Sequence, residues 1–223
     1  MAIVDKLLSL VAPHECLLCN KEGSLLCGRC LPEAFPPLPS RCYKCGKVTE
    51  NSEVCKSCRR TSPLRHVWVR TEYAGVMKDL VTAYKFSHVR AGARVAAEAL
   101  VDVLPYLSGT IIVPVPTATT RVRQRGFDHA DLLAKELASQ LNRVYVHALS
   151  RQGQSRQVGT KRAQRLKQMA GAFRASRPAE IYGAHVLLID DVVTTGATLE
   201  AAARTLKKAG AKSVNAVVLA QKL

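Results

Sequence analysis

The sequence predicts an α/β domain built on a parallel sheet, preceded by a small cysteine-built module. From Trp68 onward, continuous apolar runs alternate with stretches of helical periodicity, the pattern of buried parallel strands joined by helices. All eight cysteines lie between Cys16 and Cys58, so Arg59 to Leu223 contains none. At 223 residues and 48% apolar content, the chain can bury one full core and a small satellite. These observations divide it into a Cys-rich module over residues 1–62 and a larger domain over 63–223.

The N-terminus, MAIVDKLLSLVAPHECLLC, has no basic leading region, and Asp5 and Lys6 interrupt its apolar run. It reads as a short amphipathic helix or docking segment, not an export signal. No stretch reaches the roughly 18 apolar residues of a membrane helix. The expected location is the cytoplasm, where paired cysteines serve as metal ligands and not as disulfides.

The cysteines form four CxxC pairs: Cys16/Cys19, Cys27/Cys30, Cys42/Cys45 and Cys55/Cys58. A two-residue gap lets both thiolates of a knuckle face one metal, and two knuckles complete a closed tetrahedral site typical of structural zinc. A redox pair is the alternative for a single CxxC. Four in succession without a flanking βαβ pattern favour zinc, hence two ions. Sequential pairing is preferred, with Cys16, Cys19, Cys27 and Cys30 on one ion and Cys42, Cys45, Cys55 and Cys58 on the other. Interleaved pairing also satisfies the spacing. Closed sites of this kind serve folding and docking.

In the larger domain, WVRTEYA reads as a strand, followed by helices in GVMKDLVTAYKF and RVAAEALVDVL. TIIVPVP is a buried strand. GFDHADLLAKELASQLN is an amphipathic helix whose apolar face includes Phe127, Ala130, Ala134, Leu137 and Leu141. HVLLIDD is a second buried strand, ATLEAAARTLKKAG a helix ended by Gly210, and SVNAVVLA a last strand. Ligands of such sheets sit at the carboxyl ends of the strands.

One segment concentrates chemistry there. In HVLLIDDVVTTGATL a hydrophobic strand ends in Asp190 and Asp191, and a turn with Thr194, Thr195, Gly196, Ala197 and Thr198 opens a helix. Glycine permits close backbone approach, hydroxyls donate hydrogen bonds, and a helix N-terminus favours an anion. The pattern describes a phosphate cradle beside carboxylates able to hold a ribose diol or a ligand-borne magnesium. Against it stands a plain strand-to-helix turn capped by Asp and Thr.

The net charge is +16. Residues 151–177 supply half of it through Arg151, Arg156, Lys161, Arg162, Arg165, Lys167, Arg174 and Arg177, with no acid among them. Such a stretch fits a phosphate-rich partner, either a nucleic acid or a pyrophosphate-bearing ligand. A solvated loop is the plainer reading.

LLIDDVVTTGATL resembles the phosphoribosyl pyrophosphate loop of type I phosphoribosyltransferases. IIVPVPTATTRVRQRGFDHADLLAKELA and the arginine-rich loop ending in Gly171-Ala172-Phe173 narrow the resemblance to the ComF family, competence-associated proteins that join zinc knuckles to such a domain. The resemblance implies that Asp190 and Asp191 contact ribose hydroxyls and that Thr194–Thr198 holds the 5′-phosphate. It places the turn at Thr117 and Ala118 against pyrophosphate, accompanied by magnesium. Residues 151–171 correspond to a mobile loop closing over pyrophosphate, with Gln157 and Arg165 at family positions and Gln168 where the family usually has Asn. Arg121, Arg123 and Arg125 alternate, so an extended segment would point all three one way, toward phosphates or toward solvent. Asp128 and His129 replace the usual Asn-Gln, Asp128 reading best as a helix N-cap. Lys85 matches a family lysine but could equally lie on a helix surface.

Two functions follow from the resemblance. One is a protein of natural transformation that handles incoming single-stranded DNA. Lacking a Walker A motif, it would depend on a helicase-type ATPase partner in the transformation machinery. The other is an active phosphoribosyltransferase in nucleotide or amine metabolism, with magnesium assisting departure of pyrophosphate.

Overall fold

The computed structural model describes residues 14–36, 38–86, 89–152 and 171–222. Its centre is a four-stranded, all-parallel sheet of β1 (Val67–Glu72), β2 (Thr110–Pro114), β5 (His185–Val193) and β6 (Ser213–Gln221), in the order β1-β6-β5-β2. Beyond β2, Val144 and Val146 exchange backbone hydrogen bonds with Ile112, adding a short parallel bridge at that edge. The apolar runs are continuous because both faces of the sheet are covered. Along β5, Leu187 and Ile189 join one core cluster and Val186 and Leu188 the other, as a side-chain period of two requires.

The first face packs against α3 (Gly75–Phe86), α4 (Val89–Val101) and α6 (His129–Gln140). The buried face of α6 comprises His129, Ala130, Leu133, Ala134, Leu137 and Ala138. Phe127, expected on it, precedes the helix and is half-buried. The second face packs against the short α7 (Pro178–Ile181), through Ile181, and against α8 (Ala197–Lys208), which contributes Leu199, Ala202, Ala203 and Leu206.

Two features depart from the sequence reading. Thr119–Arg125 is a helix, α5, closed by Gly126 in the left-handed conformation (φ 80°). Residues two apart on a helix diverge by about 200°, so Arg121 and Arg125 share a side and Arg123 points away. The expected alignment of all three therefore fails. The second departure is an antiparallel ladder of β3 (Leu149–Arg151) and β4 (Phe173–Ala175), extended by the bond from the Gln152 amide to the Ala172 carbonyl. It brings together the two ends of the basic stretch.

The cysteines assemble in sequential order. Cys16, Cys19, Cys27 and Cys30 form one tetrad and Cys42, Cys45, Cys55 and Cys58 the other, with all sulfurs of a tetrad within 4.8 Å of one another. Sulfurs about 2.3 Å from a central tetrahedral zinc lie about 3.8 Å apart; Cys19–Cys27 and Cys45–Cys55 measure 3.7 and 3.6 Å. The four-thiolate donor sets and spacing fit structural zinc. In the first tetrad, burial opposes ionisation of Cys16, but backbone N–H groups outweigh it and lower the thiol to about 6. The Cys27 side chain and burial push Cys30 to about 12.

Neither tetrad stands apart from the sheet. Leu25, Leu26 and Phe35 of the first, with its helix α1 (Cys30–Ala34), share a core with Trp68, Met77 and Leu80. Tyr43, Val54 and Leu64 of the second, which includes helix α2 (Lys56–Arg59), join the core of α8. Elemental analysis of protein purified without added metal should therefore give two zinc ions per chain. Cys42→Ser should lower that ratio to one and lower the melting temperature of the whole chain. A native-like melting temperature in that variant would contradict the shared core.

Candidate functional site

The site lies at the carboxyl ends of β2 and β5. At the end of β5, Asp191 meets side chains of α3 and α6, and half-buried Asp190 precedes it. Asp191 is 7% exposed. Lys85 from the last turn of α3 forms an ion pair with its Oδ2, and His129 Nε2 from the first turn of α6 lies 3.3 Å from the same oxygen. Lys85 thus faces the site, resolving its two sequence readings.

Donor and acceptor chemistry orients the ring of His129. His129 Nε2 faces Asp191, while Nδ1 lies 3.2 Å from Arg125 Nη1 and 3.3 Å from the Thr117 hydroxyl. Tyr84 packs edge-on to the ring and donates its hydroxyl to the His129 carbonyl. His129 was read from sequence only as a departure from a family pattern. Its one local signal is a polar residue within the buried first turn of an apolar helix face.

Asp128 joins two elements. It caps α6 by accepting from the amides of Ala130 and Asp131, and it accepts from the Thr117 amide (3.0 Å) and hydroxyl (2.7 Å). The turn after β2 is thereby fixed to α6. It also engages the Thr117 amide, one of those expected to face pyrophosphate. Arg151 Nη1 donates to the Pro116 carbonyl at 3.4 Å, placing the mouth of the basic segment beside the same turn.

On the α8 side, the chain leaves β5 at Val193 and enters the helix at Ala197 through Gly196 (φ 75°). Thr194 is exposed and Thr195, Ala197 and Thr198 are half-buried, so the loop opens to solvent beside Asp190. The Thr195 hydroxyl accepts from the Ala197 amide. The first amides of a helix lack intrahelical partners and carry a partial positive charge, which suits a phosphate. Arg121 and Arg123 are exposed on α5. Arg156, Lys161, Arg162 and Arg165, with Gln157 and Gln168, lie outside the described residues.

Comparison with known proteins gives two domain matches and a set of relatives. A phosphoribosyl transferase domain model matches residues 122–223, and a double zinc ribbon domain model matches residues 7–59. The competence protein ComFC of Bacillus subtilis (strain 168) is 31% identical over 192 residues, covering 80% of this chain and 76% of that protein. The chain belongs to the ComF family. The DNA utilization protein YhgH of Escherichia coli (strain K12) is 28% identical over 229 residues, covering 96% of this chain and all of that one. Among solved structures, the allosteric regulatory enzyme of purine biosynthesis aligns with a TM-score of 0.41 at 17% identity, covering 61% of this chain and 29% of that one. No helix among the described residues of this ComF-family chain is long and apolar enough to cross a membrane.

The two carboxylates carry opposite electrostatics. Burial opposes ionisation of Asp191, but the His129 hydrogen bond and the Lys85 charge outweigh it and hold the group below the usual carboxylate range. Its stabilisation is complete above the unfolded value of about 3.9 and is lost as pH falls through the folded value. Asp190 is pushed well above the usual range by burial and by the Asp191 charge. Its native state holds the proton longer than the unfolded chain, so Asp190 costs stability as pH rises past about 4. At pH 7 the substitutions should therefore act in opposite directions. Asp191→Asn strands Lys85 and should cost about 3 kcal/mol, lowering Tm by roughly 6–12 °C in a chain of this size. Asp190→Asn should raise Tm. Thermal unfolding tests both, and a fall in Tm for Asp190→Asn would overturn the assignment.

Proposed function

We propose that this ComF-family chain binds phosphoribosyl pyrophosphate or a related phosphorylated ribose, and acts in the uptake or use of DNA by handling single-stranded DNA. The observation that carries the ligand reading is the β5–α8 loop, in which a strand-end carboxylate and an open helix N-terminus meet at a left-handed glycine. A 5′-phosphate would take the amides and hydroxyls of Thr194–Thr198. Asp190 would accept from the ribose hydroxyls, and binding would offset the cost of ionising it. A magnesium ion carried by the ligand would supply charge neutralisation for the pyrophosphate. Asp191 acts from behind, holding Lys85 and His129 in place. The names of the relatives, competence protein and DNA utilization protein, support the DNA role.

The DNA reading draws on the basic stretch. Its two ends meet in the β3–β4 ladder, where Arg151 reaches the Pro116 turn beside the candidate ligand site. Active phosphoribosyl transfer is the second reading, favoured by the same loop. It predicts release of pyrophosphate on addition of an amine or nucleobase acceptor, whereas a ligand-binding role predicts none.

Phosphoribosyl pyrophosphate with magnesium should raise the melting temperature of the wild type by mass action, and Asp190→Asn should abolish that rise. No rise in the wild type at millimolar ligand would exclude the binding reading. Single-stranded DNA should bind with strong salt dependence, each phosphate contact contributing about −0.7 to the slope of log affinity against log salt. Replacing Arg156, Lys161, Arg162 and Arg165 with Gln should flatten that slope by roughly two to three units, equally for all base sequences. An unaltered slope would reduce the segment to a solvated surface.

A further inference from the structure

The second cysteine tetrad reaches directly into the loop assigned to phosphate. The ring of Tyr43, between Cys42 and Cys45, lies against Gly196 so closely that a Cβ there would stand 2.3 Å from Tyr43 Cε2. Positive φ and this contact each demand glycine, and the contact means that a ring from the metal-binding ribbon forms one wall of the loop. The Tyr43 hydroxyl donates to Glu200 Oε1 at 2.8 Å, one turn into α8, and lies 3.1 Å from the Ser62 hydroxyl. Glu200 is 2% exposed. Lys44 Nζ lies 2.8 Å from its Oε1 and Arg204 Nη2 2.6 Å from its Oε2.

Two further bonds complete the attachment. Gln221, at the end of β6, donates to the Tyr43 carbonyl at 3.1 Å, and Arg204 Nη1 donates to the Thr61 carbonyl at 3.0 Å. The CxxC turn is thus bonded to α8 and to the end of β6, the strand paired with β5. A buried carboxylate with three partners requires all of them, because losing one leaves charge poorly satisfied where water cannot replace it.

We infer that Tyr43 and Glu200 are positioning residues for phosphate binding, and that the second metal site, through them, holds Gly196 and the first turn of α8 in the binding conformation. The ribbon is then a component of the ligand site and not only a docking module. This deepens the phosphoribosyl reading and rests on it for the ligand. Loss of the second metal would free the CxxC turn that carries Tyr43, and affinity for a phosphorylated ribose would fall without any change in residues that touch it.

Hydrogen exchange of the ligand-free protein separates the brace from the ligand reading. In Tyr43→Phe and in Glu200→Gln, amides of residues 194–199 should exchange about tenfold faster, the loss expected for one buried hydrogen bond to a charged group. Amides of α6 should be unaffected and zinc content should remain two per chain. Lys44→Met, removing a partner from the rim, provides a milder variant should either of the others fail to fold. The affinity for phosphoribosyl pyrophosphate with magnesium should weaken by a similar factor. Unchanged exchange at 194–199 with zinc retained would overturn the inference whatever the affinity does. Faster exchange in a protein whose wild type binds no phosphoribosyl pyrophosphate would uphold the brace and remove the ligand assignment instead.

Discussion

Asp191 is the charge on which the site depends. A carboxylate buried at the end of a central strand is tolerable only when paired and hydrogen-bonded, and here Lys85 of α3 supplies the opposite charge and His129 of α6 a hydrogen bond, from two helices on one face of the sheet. That single group therefore sets the spacing of three elements. His129 in turn orients Arg125, and the neighbouring Asp128 fixes the turn after β2. The electrostatic consequence appears one residue away. With Asp191 ionised and satisfied, Asp190 resists ionisation, and a site is left that gains from a partner able to neutralise it. Stability is given up at Asp190, the carboxylate proposed to meet the ligand.

The opposite face is organised by a different device. There a metal-stapled turn, too small to fold on hydrophobic burial alone, presses an aromatic ring onto the loop glycine and satisfies a buried glutamate. The protein thus builds its candidate ligand site from two halves with different physics, a buried ion cluster on the α3/α6 side and a metal-held brace on the α8 side. The tetrads share cores with the sheet instead of forming a detached module, which explains why a chain of this size can support a short four-stranded sheet.

Much of this was legible in the sequence because the informative features are local. Parallel strands such as HVLLIDD are apolar on both faces and declare themselves, and CxxC spacing is itself the ligand geometry. The loop around Gly196 is likewise contiguous. What escaped was short or long-range. TTRVRQR has only Val122 to suggest a helical face, so α5 was read as extended and its arginines as aligned. Strands of three residues, as in β3 and β4, carry no periodicity. Lys85, His129 and the Tyr43–Glu200 bond depend on contacts between residues 62 to 157 positions apart, which no window of sequence contains.

The central claim is that the amides opening α8 bind the phosphate of a ribose ligand. It is tested most directly by titrating isotope-labelled protein with ribose 5-phosphate and following backbone amide resonances. The account predicts saturable shifts largest at Thr195, Gly196, Ala197 and Thr198, with only small changes in the cysteine knuckles. Shifts confined to other surfaces, or none at millimolar ligand, would contradict it.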